Sequence, residues 1–600
     1  MRQSEPSFVY RVKISGEAGD GIMSAGDLFM RVAAREGFEA TVVKSFPSTI
    51  RGGYAQSLVT IADRPIISPL DYCDMLFALS RDAFLLDTVG LKPHTIILVE
   101  STAHTEGVYH ERFDQLTSSG YTPFSVPVLQ FARETAGNCT LRSTVALGVL
   151  VEMLGLSSEV LFTAIAERFR EKGTELVELN HIALESGCVW ARHHIEKTNM
   201  PVLPYRNPAG GEGKLVIEGN QAIALGALAA GCTFFASYPI TPATAIGETL
   251  ARQIHLTGGF AYQAEDEIAA LGSALGASFS GAKAMTATSG PGLSLMQEFL
   301  GYASIVELPV VVIDVQRVGP STGMPTKHSQ DDLFAAVFGG HGEGQRIVIA
   351  PVSVEECFLT TVTAFNCAEK YQCPVIVLSD STLGSTKTVM AESALKYPRI
   401  VNREVFTGNQ DRQLQWMRYR LTDSGLNPMT VPGISPVTYR ATGVEHNEYS
   451  TPVTTPDERS MQIAKRFRKL RDIEKEFDDP VIWDIEAVSD EPITMGVCAW
   501  GLTASITREA VAVFRSEGVR IAALYPRLLF PVCIEAFNRW ADYSPLQIVV
   551  EANYTGQFCS LIRMSTRARP QSLTISRGEP FTPTEIVRGI RSIINNGALK

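Results

Sequence analysis

One stretch constrains the fold more than any other, the run Ala236-Ser237-Tyr238-Pro239-Ile240-Thr241-Pro242-Ala243-Thr244. It follows a strand-like segment, and its two prolines fix φ and remove two backbone donors. The residue before each proline is pushed toward extended geometry, so the run forms a stiff elbow. Thr241 is expected to cap the next helix, with Pro242 at its first position. An ordinary capped turn fits this pattern, and so does a helix N-terminus that receives a carboxylate or phosphate.

The totals of the chain exclude several classes of protein. Six hundred residues are enough for roughly three or four domains, and the net charge of −11 argues against nucleic acid as a partner. No apolar run reaches the ~18–20 residues that span a bilayer, and the polar N-terminus lacks a signal core, so we expect a cytoplasmic protein without a membrane partner. The ten cysteines form no C-x-x-C pair, and no metal site is expected in this chain.

The first predicted domain, residues 1–195, begins with a strand, a glycine turn and a helix. The turn Gly16-Glu17-Ala18-Gly19-Asp20-Gly21 is typical of phosphate-cradling α/β folds, although a turn without ligand fits equally. Its G-x-x-G-x-G spacing is not the dinucleotide fingerprint, which disfavours a nucleotide-dependent dehydrogenase. Gly19-Asp20-Gly21 also imitates the start of a thiamine diphosphate motif, but the next asparagine is Asn138, so we reject that match. The pattern predicts one doubly wound α/β domain.

A second loop of this domain combines Arg51 with Gly52 and Gly53. A guanidinium beside exposed backbone donors suits a phosphate or pyrophosphate. A bulged loop with a surface arginine is the alternative.

A Pro/Gly-dense linker, residues 196–215, leads to a second predicted domain, residues 216–400. Three strand-like segments there each run into a loop: the elbow, Thr288-Ser289-Gly290-Pro291-Gly292, and the loop Arg317–His328. Ligands gather beyond the carboxyl ends of parallel strands, so we expect the three loops to converge on one rim. Glu265-Asp266-Glu267 opens a helix of small residues, where the acids either cap the helix or face a ligand.

The remainder divides into an irregular connection with a charged helix, residues 401–485, and another small α/β domain, residues 486–600. The charged helix is suited to a solvated face or a subunit surface. The turn Glu551-Ala552-Asn553-Tyr554-Thr555-Gly556-Gln557 follows a strand, and we expect it to serve packing and subunit contact.

Four motifs that occur in order carry a family resemblance: Tyr238-Pro239-Ile240-Thr241-Pro242, Glu265-Asp266-Glu267-Ile268-Ala269-Ala270, Thr288-Ser289-Gly290-Pro291-Gly292 and Pro320-Ser321-Thr322-Gly323-Met324-Pro325-Thr326. Together they closely resemble the α subunit of 2-oxoacid:ferredoxin oxidoreductases. The first domain resembles the γ subunit of that family, fused in front of α, an arrangement most similar to the 2-oxoglutarate:ferredoxin enzymes. The resemblance implies several α/β domains: a γ-like domain, a thiamine-diphosphate pyrimidine-type domain and a transketolase C-terminal-like domain.

The resemblance also implies an activity. The family oxidises a 2-oxoacid with coenzyme A, releases carbon dioxide and reduces ferredoxin, and it can run in reverse. Thiamine diphosphate with Mg²⁺ and a [4Fe-4S] cluster are expected mainly on a partner β subunit, in an (αβ)₂ heterotetramer. The fused architecture favours 2-oxoglutarate. Pyruvate or another 2-oxoacid, or a non-catalytic structural subunit, are the alternatives.

The resemblance further implies roles for individual residues. Glu267 is expected to bind ring nitrogen N1′ of the thiamine pyrimidine, with Glu265 as the alternative, and Ser289 and Gly290 line the same side. Thr241 and Tyr238 are expected to contact the substrate. Lys327 is the first choice for holding its carboxylate, and Arg317 is the second. Arg51, Gly52 and Gly53 are the candidates for coenzyme A.

Overall fold

A computed structural model describes residues 8–47, 52–104, 107–134, 137–196, 203–204, 213–395, 398–406, 416–433, 437–485 and 492–598. The chain forms two compact units: Met1–Ile217 with Ser385–Ala394, and Glu218–Gly384 with Leu395–Lys600. Within the described ranges, no helix is long and apolar enough to cross a membrane.

Strands and helices alternate along most of the chain. In chain order the strands are β1 (Val9–Glu17), β2 (Glu39–Ser45), β3 (Tyr54–Ala62), β4 (Met75–Ala78), β5 (Ile96–Glu100), β6 (Pro123–Val126), β7 (Lys214–Glu218), β8 (Phe234–Ser237), β9 (Phe260–Gln263), β10 (Ala284–Thr288), β11 (Val310–Gln316), β12 (Ile347–Ile349), β13 (Pro374–Asp380), β14 (Lys387–Ala391), β15 (Val481–Ile485), β16 (Met495–Ala499), β17 (Ile521–Pro526), β18 (Leu528–Phe530), β19 (Gln547–Glu551) and β20 (Gln571–Thr574). The α-helices are α1 (Ile22–Arg35), α2 (Arg81–Asp87), α3 (Val108–Ser118), α4 (Val128–Glu134), α5 (Arg142–Leu154), α6 (Ser158–Phe169), α7 (Thr174–His194), α8 (Gly219–Ala229), α9 (Thr244–Gln253), α10 (Glu267–Phe279), α11 (Gly290–Leu295), α12 (Gln297–Ile305), α13 (Leu333–Phe338), α14 (Val354–Tyr371), α15 (Ser381–Ser385), α16 (Pro456–Arg468), α17 (Ile473–Glu476), α18 (Gly501–Ser516), α19 (Ile534–Tyr543), α20 (Gln557–Ser565) and α21 (Pro583–Ile593).

The first unit is built on a mixed eight-stranded sheet in the order β6-β5-β4-β1-β3-β2-β14-β7. β1, β4, β5 and β6 run parallel, whereas β3 is antiparallel to both β1 and β2. Gly21, at φ +81°, turns the chain from the end of β1 into α1, as the glycine pattern predicts. Strands β2 and β3, which flank the loop that contains Arg51, were not predicted from the sequence.

Helices α5 and α7 of the first unit cross at two glycines. A Cβ atom on Gly148 would lie 2.1 Å from the Leu184 carbonyl oxygen, and one on Gly187 would lie 2.1 Å from the Val145 carbonyl oxygen. Each helix therefore presents backbone to its neighbour at this crossing, and any side chain there would force the pair apart.

The second unit contains a seven-stranded sheet in the order β18-β12-β13-β11-β10-β8-β9. All seven residues of β11 are buried, as expected of an apolar strand at the centre of a parallel sheet. β8, β10 and β11 are adjacent and parallel, so their carboxyl ends share one edge. The predicted convergence of the three loops is therefore confirmed.

A five-stranded sheet, in the order β15-β17-β16-β19-β20, also belongs to the second unit. Only the pairing of β15 with β17 is antiparallel among these described strands. The predicted fold class, α/β with several parallel-sheet domains, is confirmed.

The charged helix predicted before this sheet is not simply a solvated face. Lys465, on α16, is fully buried with its Nζ 2.6 Å from Glu307 Oε1, and buried Lys469 pairs with the other oxygen of the same carboxylate. A charge can be buried when an opposite charge compensates it, which explains how this lysine-rich segment packs inward.

Candidate active site

The elbow contains an extra turn between β8 and α9. The backbone N–H groups of Ala243 and Thr244 both donate to the Ile240 carbonyl, at 2.8 and 3.1 Å. Helix α9 then begins at Thr244, with Ala243 as its N-cap residue and no side-chain cap. The predicted capping by Thr241, with Pro242 as the first helical residue, is wrong because the chain completes this turn first. Thr241 lies instead at the surface of the second unit, with its side chain exposed.

Two buried side chains hold the backbone of the elbow. Arg317 Nη1 donates to the Thr241 carbonyl oxygen at 2.6 Å, and Asn220 Nδ2 donates to the Pro242 carbonyl oxygen at 3.0 Å. Arg317 follows β11 and is only 8% exposed, and burial lowers the pKa of its guanidinium. Two of the predicted loops are thus joined directly. Asn220 was not predicted as a site residue, because no sequence pattern at the start of α8 distinguishes it.

Glu267 opens α10 beside the loop that follows β10. Asp266 caps the helix, accepting from the Ala269 N–H at 2.7 Å, which fits the expected capping by acids. Glu267 is 6% exposed, whereas Glu265 is exposed to solvent. A Cβ atom on Gly292 would lie 2.7 Å from Glu267 Cγ, so the loop rests directly on this carboxylate side chain.

The loop that contains Ser289 and Gly290 packs between Glu267 and the chain that follows β11. The Ser289 hydroxyl is fully buried and has no hydrogen-bond partner among the described residues. A Cβ atom on Gly290 would lie 2.7 Å from both carboxylate oxygens of Asp332. Asp332 is a further residue of this site that no sequence motif indicates.

Lys327 lies in the same loop as Arg317 but packs elsewhere. The loop folds back on itself, and the Val318 N–H donates to the Lys327 carbonyl oxygen at 3.3 Å. Lys327 is half-buried, and its Cβ would be 3.1 Å from a Cβ atom on Gly578.

The turn Glu551–Gln557 fixes the chain that follows Lys327. The Gln330 N–H donates to the Ala552 carbonyl at 2.8 Å, and Gln557 Nε2 donates to the Asp331 carbonyl at 2.7 Å. Gln330 Nε2 also donates to the Trp500 carbonyl at 2.9 Å. The packing role expected for this turn therefore includes holding a loop of the candidate site.

A cavity of about 240 Å³ is lined in part by the elbow. Tyr238, whose side chain is half-exposed, lines it together with Ser237, Pro239, Gly247 and Gln263. Tyr238 therefore faces a space large enough for a small molecule.

In the first unit, the two glycine-containing loops meet. The Gly52 N–H donates to the Ala18 carbonyl at 3.2 Å, and the Ala18 N–H donates to the Gly53 carbonyl at 2.9 Å. Arg51 lies outside the described residues. Among the residues that are described, no group of three or more His, Cys, Asp or Glu side chains is placed to hold a metal ion.

Comparison with known families indicates the class of protein to which this chain belongs. Residues 225–465 match the family described as "Pyruvate flavodoxin/ferredoxin oxidoreductase, thiamine diP-bdg", and residues 11–190 match "Pyruvate ferredoxin/flavodoxin oxidoreductase". The fold and the site thus define an α/β oxidoreductase subunit that carries a thiamine-diphosphate-binding domain.

Individual relatives narrow the class. The chain is 30% identical to "2-oxoglutarate oxidoreductase subunit KorA" of Mycobacterium tuberculosis, over 97% of this chain and 91% of that protein. It is 37% identical to "2-oxoglutarate synthase subunit KorA" of Methanothermobacter marburgensis, over 62% of this chain and 97% of that protein. The solved 2-oxoglutarate:ferredoxin oxidoreductase from Magnetococcus marinus, with 2-oxoglutarate, coenzyme A and succinyl-CoA bound, is 35% identical, with a TM-score of 0.90 over 98% of this chain and 100% of that one. The chain belongs to the 2-oxoacid:ferredoxin oxidoreductase family as an α subunit, and the resemblance inferred from its motifs is confirmed.

Proposed function

We propose that this chain is the fused γ–α subunit of an enzyme that converts 2-oxoglutarate and coenzyme A into succinyl-CoA and carbon dioxide and transfers the electrons to ferredoxin. The reaction is reversible toward carbon dioxide fixation. The choice of 2-oxoglutarate is supported by the names of the relatives and by the ligands of the Magnetococcus marinus structure. We place the chain in a cytoplasmic (αβ)₂ assembly, with Mg²⁺ and a [4Fe-4S] cluster held mainly by the β subunit.

The observation that carries the proposal is the buried Glu267 carboxylate against the Ser289–Gly292 loop at the carboxyl edge of the sheet. The residues present fit the pyrimidine end of thiamine diphosphate, since a buried carboxylate lies beside a buried hydroxyl that has no hydrogen-bond partner in the part of the chain that the structure describes. Glu267 would bind ring nitrogen N1′, and Ser289 and Gly290 would border the ring. When bound, the cofactor would supply the nucleophilic ylid carbon and a thiazolium ring that delocalises the electron pair left by decarboxylation.

The elbow would provide the substrate contacts of this chain. The exposed Thr241 hydroxyl would donate to the oxo or carboxylate oxygen of a 2-oxoacid, while Arg317 binds the carbonyl oxygen of the same residue. We assign the substrate carboxylate to Lys327 and keep Arg317 as the second candidate. Tyr238 would border the substrate from the cavity side.

Coenzyme A would use the joined loops of the first unit. Gly52 and Gly53 have φ of +75° and +83°, the left-handed region that favours glycine, and the absence of a Cβ atom lets a ligand approach the chain closely. Arg51 would add a positive charge for a phosphate.

The test is reconstitution of this chain with a candidate β subunit that carries a thiamine diphosphate motif and cysteine ligands for a cluster. The purified complex is assayed with a panel of 2-oxoacids, coenzyme A and a low-potential electron acceptor, and the β subunit alone serves as control. We expect coenzyme A-dependent reduction that is fastest with 2-oxoglutarate. Faster turnover of pyruvate would move the assignment to the alternative substrate. Equal activity of the β subunit alone would make this chain a structural subunit, and no reduction with any 2-oxoacid would refute the proposal.

A further inference from the structure

The loop Arg317–Lys327 begins and ends beside the last residues of β13. Just before the loop, Gln316 Nε2 donates to the Ser379 carbonyl oxygen at 3.0 Å. Just after it, His328 Nδ1 lies 3.0 Å from Asp380 Oδ1. β11 and β13 are parallel neighbours, so the end of β13 lies at the edge where the loop begins. The two contacts therefore close the base of the loop that carries both candidates for holding the substrate carboxylate.

The contact between His328 and Asp380 is a buried hydrogen bond with a defined donor. The two side chains are 1% and 2% exposed. Asp380 Oδ1 also accepts from the Leu383 N–H at 2.8 Å, at the start of α15. Since this oxygen acts as an acceptor, the proton of the contact with the ring belongs on His328 Nδ1. The second contact also fixes the carboxyl group that the histidine binds.

The other ring nitrogen of His328 makes no such contact. Nε2 is buried and has no hydrogen-bond partner in the part of the chain that the structure describes. The ring is therefore held through Nδ1. The backbone beside it is also fixed, because the His328 N–H donates to the Gly578 carbonyl at 3.1 Å and the Lys327 N–H donates to the Met324 carbonyl at 3.0 Å.

A separate attachment follows two residues later. The side chain of Gln330 donates to the Trp500 carbonyl and accepts from the Thr503 hydroxyl and the Ala552 N–H, at 2.9, 2.8 and 2.8 Å. Loss of the His328 side chain leaves these three hydrogen bonds in place. We therefore expect such a loss to loosen the loop next to Lys327 while the chain beyond it stays attached.

We propose that His328 is a positioning residue for the substrate carboxylate, because its hydrogen bond to Asp380 fixes the end of the loop where Lys327 stands. A cation that is already held in place loses less conformational freedom when the substrate binds, and this raises affinity. The role in substrate binding rests on the proposed function, in which Lys327 holds the carboxylate. The hydrogen bond and its effect on the loop do not depend on that function.

Three substitutions of His328 separate the two sides of its ring. His328→Asn keeps an amide N–H close to the position of Nδ1, where it can donate to Asp380. His328→Gln moves the amide toward the position of Nε2, and His328→Ala removes both groups. His446→Ala is the matched control, because it removes another buried histidine, whose Nδ1 lies 3.1 Å from the Val444 carbonyl oxygen.

Hydrogen–deuterium exchange of the complete complex, measured by mass spectrometry, tests the hydrogen bond without reference to activity. We expect the peptide that covers residues 317–328 to exchange at least about tenfold faster in His328→Ala and His328→Gln than in the wild type. His328→Asn and His446→Ala should exchange in this peptide as the wild type does. Unchanged exchange in His328→Ala, or exchange in His328→Asn as fast as in His328→Ala, would overturn the proposal.

Steady-state kinetics of the same complexes test the positioning role. We expect His328→Ala to raise KM for the 2-oxoacid about tenfold, with kcat changed less than about threefold and KM for coenzyme A constant. His328→Asn should restore most of the lost affinity, and His328→Gln should not. Unchanged KM in His328→Ala, or equal increases in His328→Ala and His328→Asn, would overturn the positioning role. A wild-type complex that is inactive with every 2-oxoacid would refute the proposed function and the role in substrate binding, but the exchange result for the hydrogen bond would stand.

Discussion

Replacing Glu267 by glutamine isolates the contribution of its ionisable group. Glutamine has nearly the same shape, so it keeps the contact with Gly292 and the start of α10. It cannot share a proton with ring nitrogen N1′ as a carboxyl group does. General acid–base help of this kind is worth about 10²–10⁴ in rate, so we expect kcat to fall at least about a hundredfold, or about 2.7 kcal/mol in activation free energy.

The burial of Glu267 makes the large end of that range reasonable. With 6% of its surface exposed and Gly292 in contact with its Cγ, the side chain leaves little room for water to take over its role. Glu265 has the same chemical group two residues earlier but is exposed, so Glu265→Gln should change kcat less than about twofold.

The assay is single-turnover reduction of the electron acceptor by the reconstituted complex, with saturating 2-oxoglutarate and coenzyme A. Gel filtration of each variant with the β subunit shows whether the assembly is intact. Near-normal turnover of an assembled Glu267→Gln complex would refute the role of this carboxylate. A large loss in Glu265→Gln alone would transfer the role to the alternative residue.

Three further outcomes follow from the contacts described. Lys327→Met should raise KM for the 2-oxoacid about tenfold while KM for coenzyme A stays constant, as steady-state titration of each substrate would show; a constant KM for both would exclude this lysine from substrate binding. Gly187→Ala should lower the free energy of unfolding of the first unit by about 1–3 kcal/mol, measured by denaturant titration, because the new methyl group would meet the Val145 carbonyl; unchanged stability would mean that α5 and α7 separate without cost. Glu445→Gln should lower the free energy of unfolding by about 2 kcal/mol at neutral pH, because two arginines lower the pKa of Glu445 to about 2 in the folded protein. The ionised carboxylate provides this stability, so the difference between wild type and variant should shrink as the pH falls below 4.5, the pKa in the unfolded chain. A difference that grows on acidification would contradict this assignment.

The sequence predicted the parts of the site that depend on local pattern and on the geometry of parallel sheets. An apolar strand that runs into a Gly/Pro loop implies a carboxyl-end position, and this reasoning placed the elbow, the Ser289 loop and the Arg317 loop on one edge. Helix capping by Asp266 also followed from local chemistry, because the partner N–H is three residues away.

The polar partners of the site could not be predicted, since they are distant in the chain. Arg317 meets an elbow residue 76 positions earlier, and Lys465 is buried because Glu307 lies 158 positions before it. The secondary-structure propensities of single residues carry no information about contacts between residues so far apart in sequence. The failed cap at Thr241 has a different cause, because a Thr-Pro pair fits both a helix start and the preceding turn, and only the completed turn decides between them.

Strand β14 has a consequence for protein engineering. It comes from the middle of the chain and pairs with β2 in the sheet of the first unit, where Lys387 also contacts Asp27 at 2.9 Å. A fragment that stops at residue 217 would therefore expose an unpaired strand edge and a buried aspartate deprived of one cation. A peptide that spans residues 385–394 should restore the missing strand when it is added to this fragment. The fragment and the peptide, which are distant in the sequence, could therefore serve as two halves of a split reporter that signals when they bind.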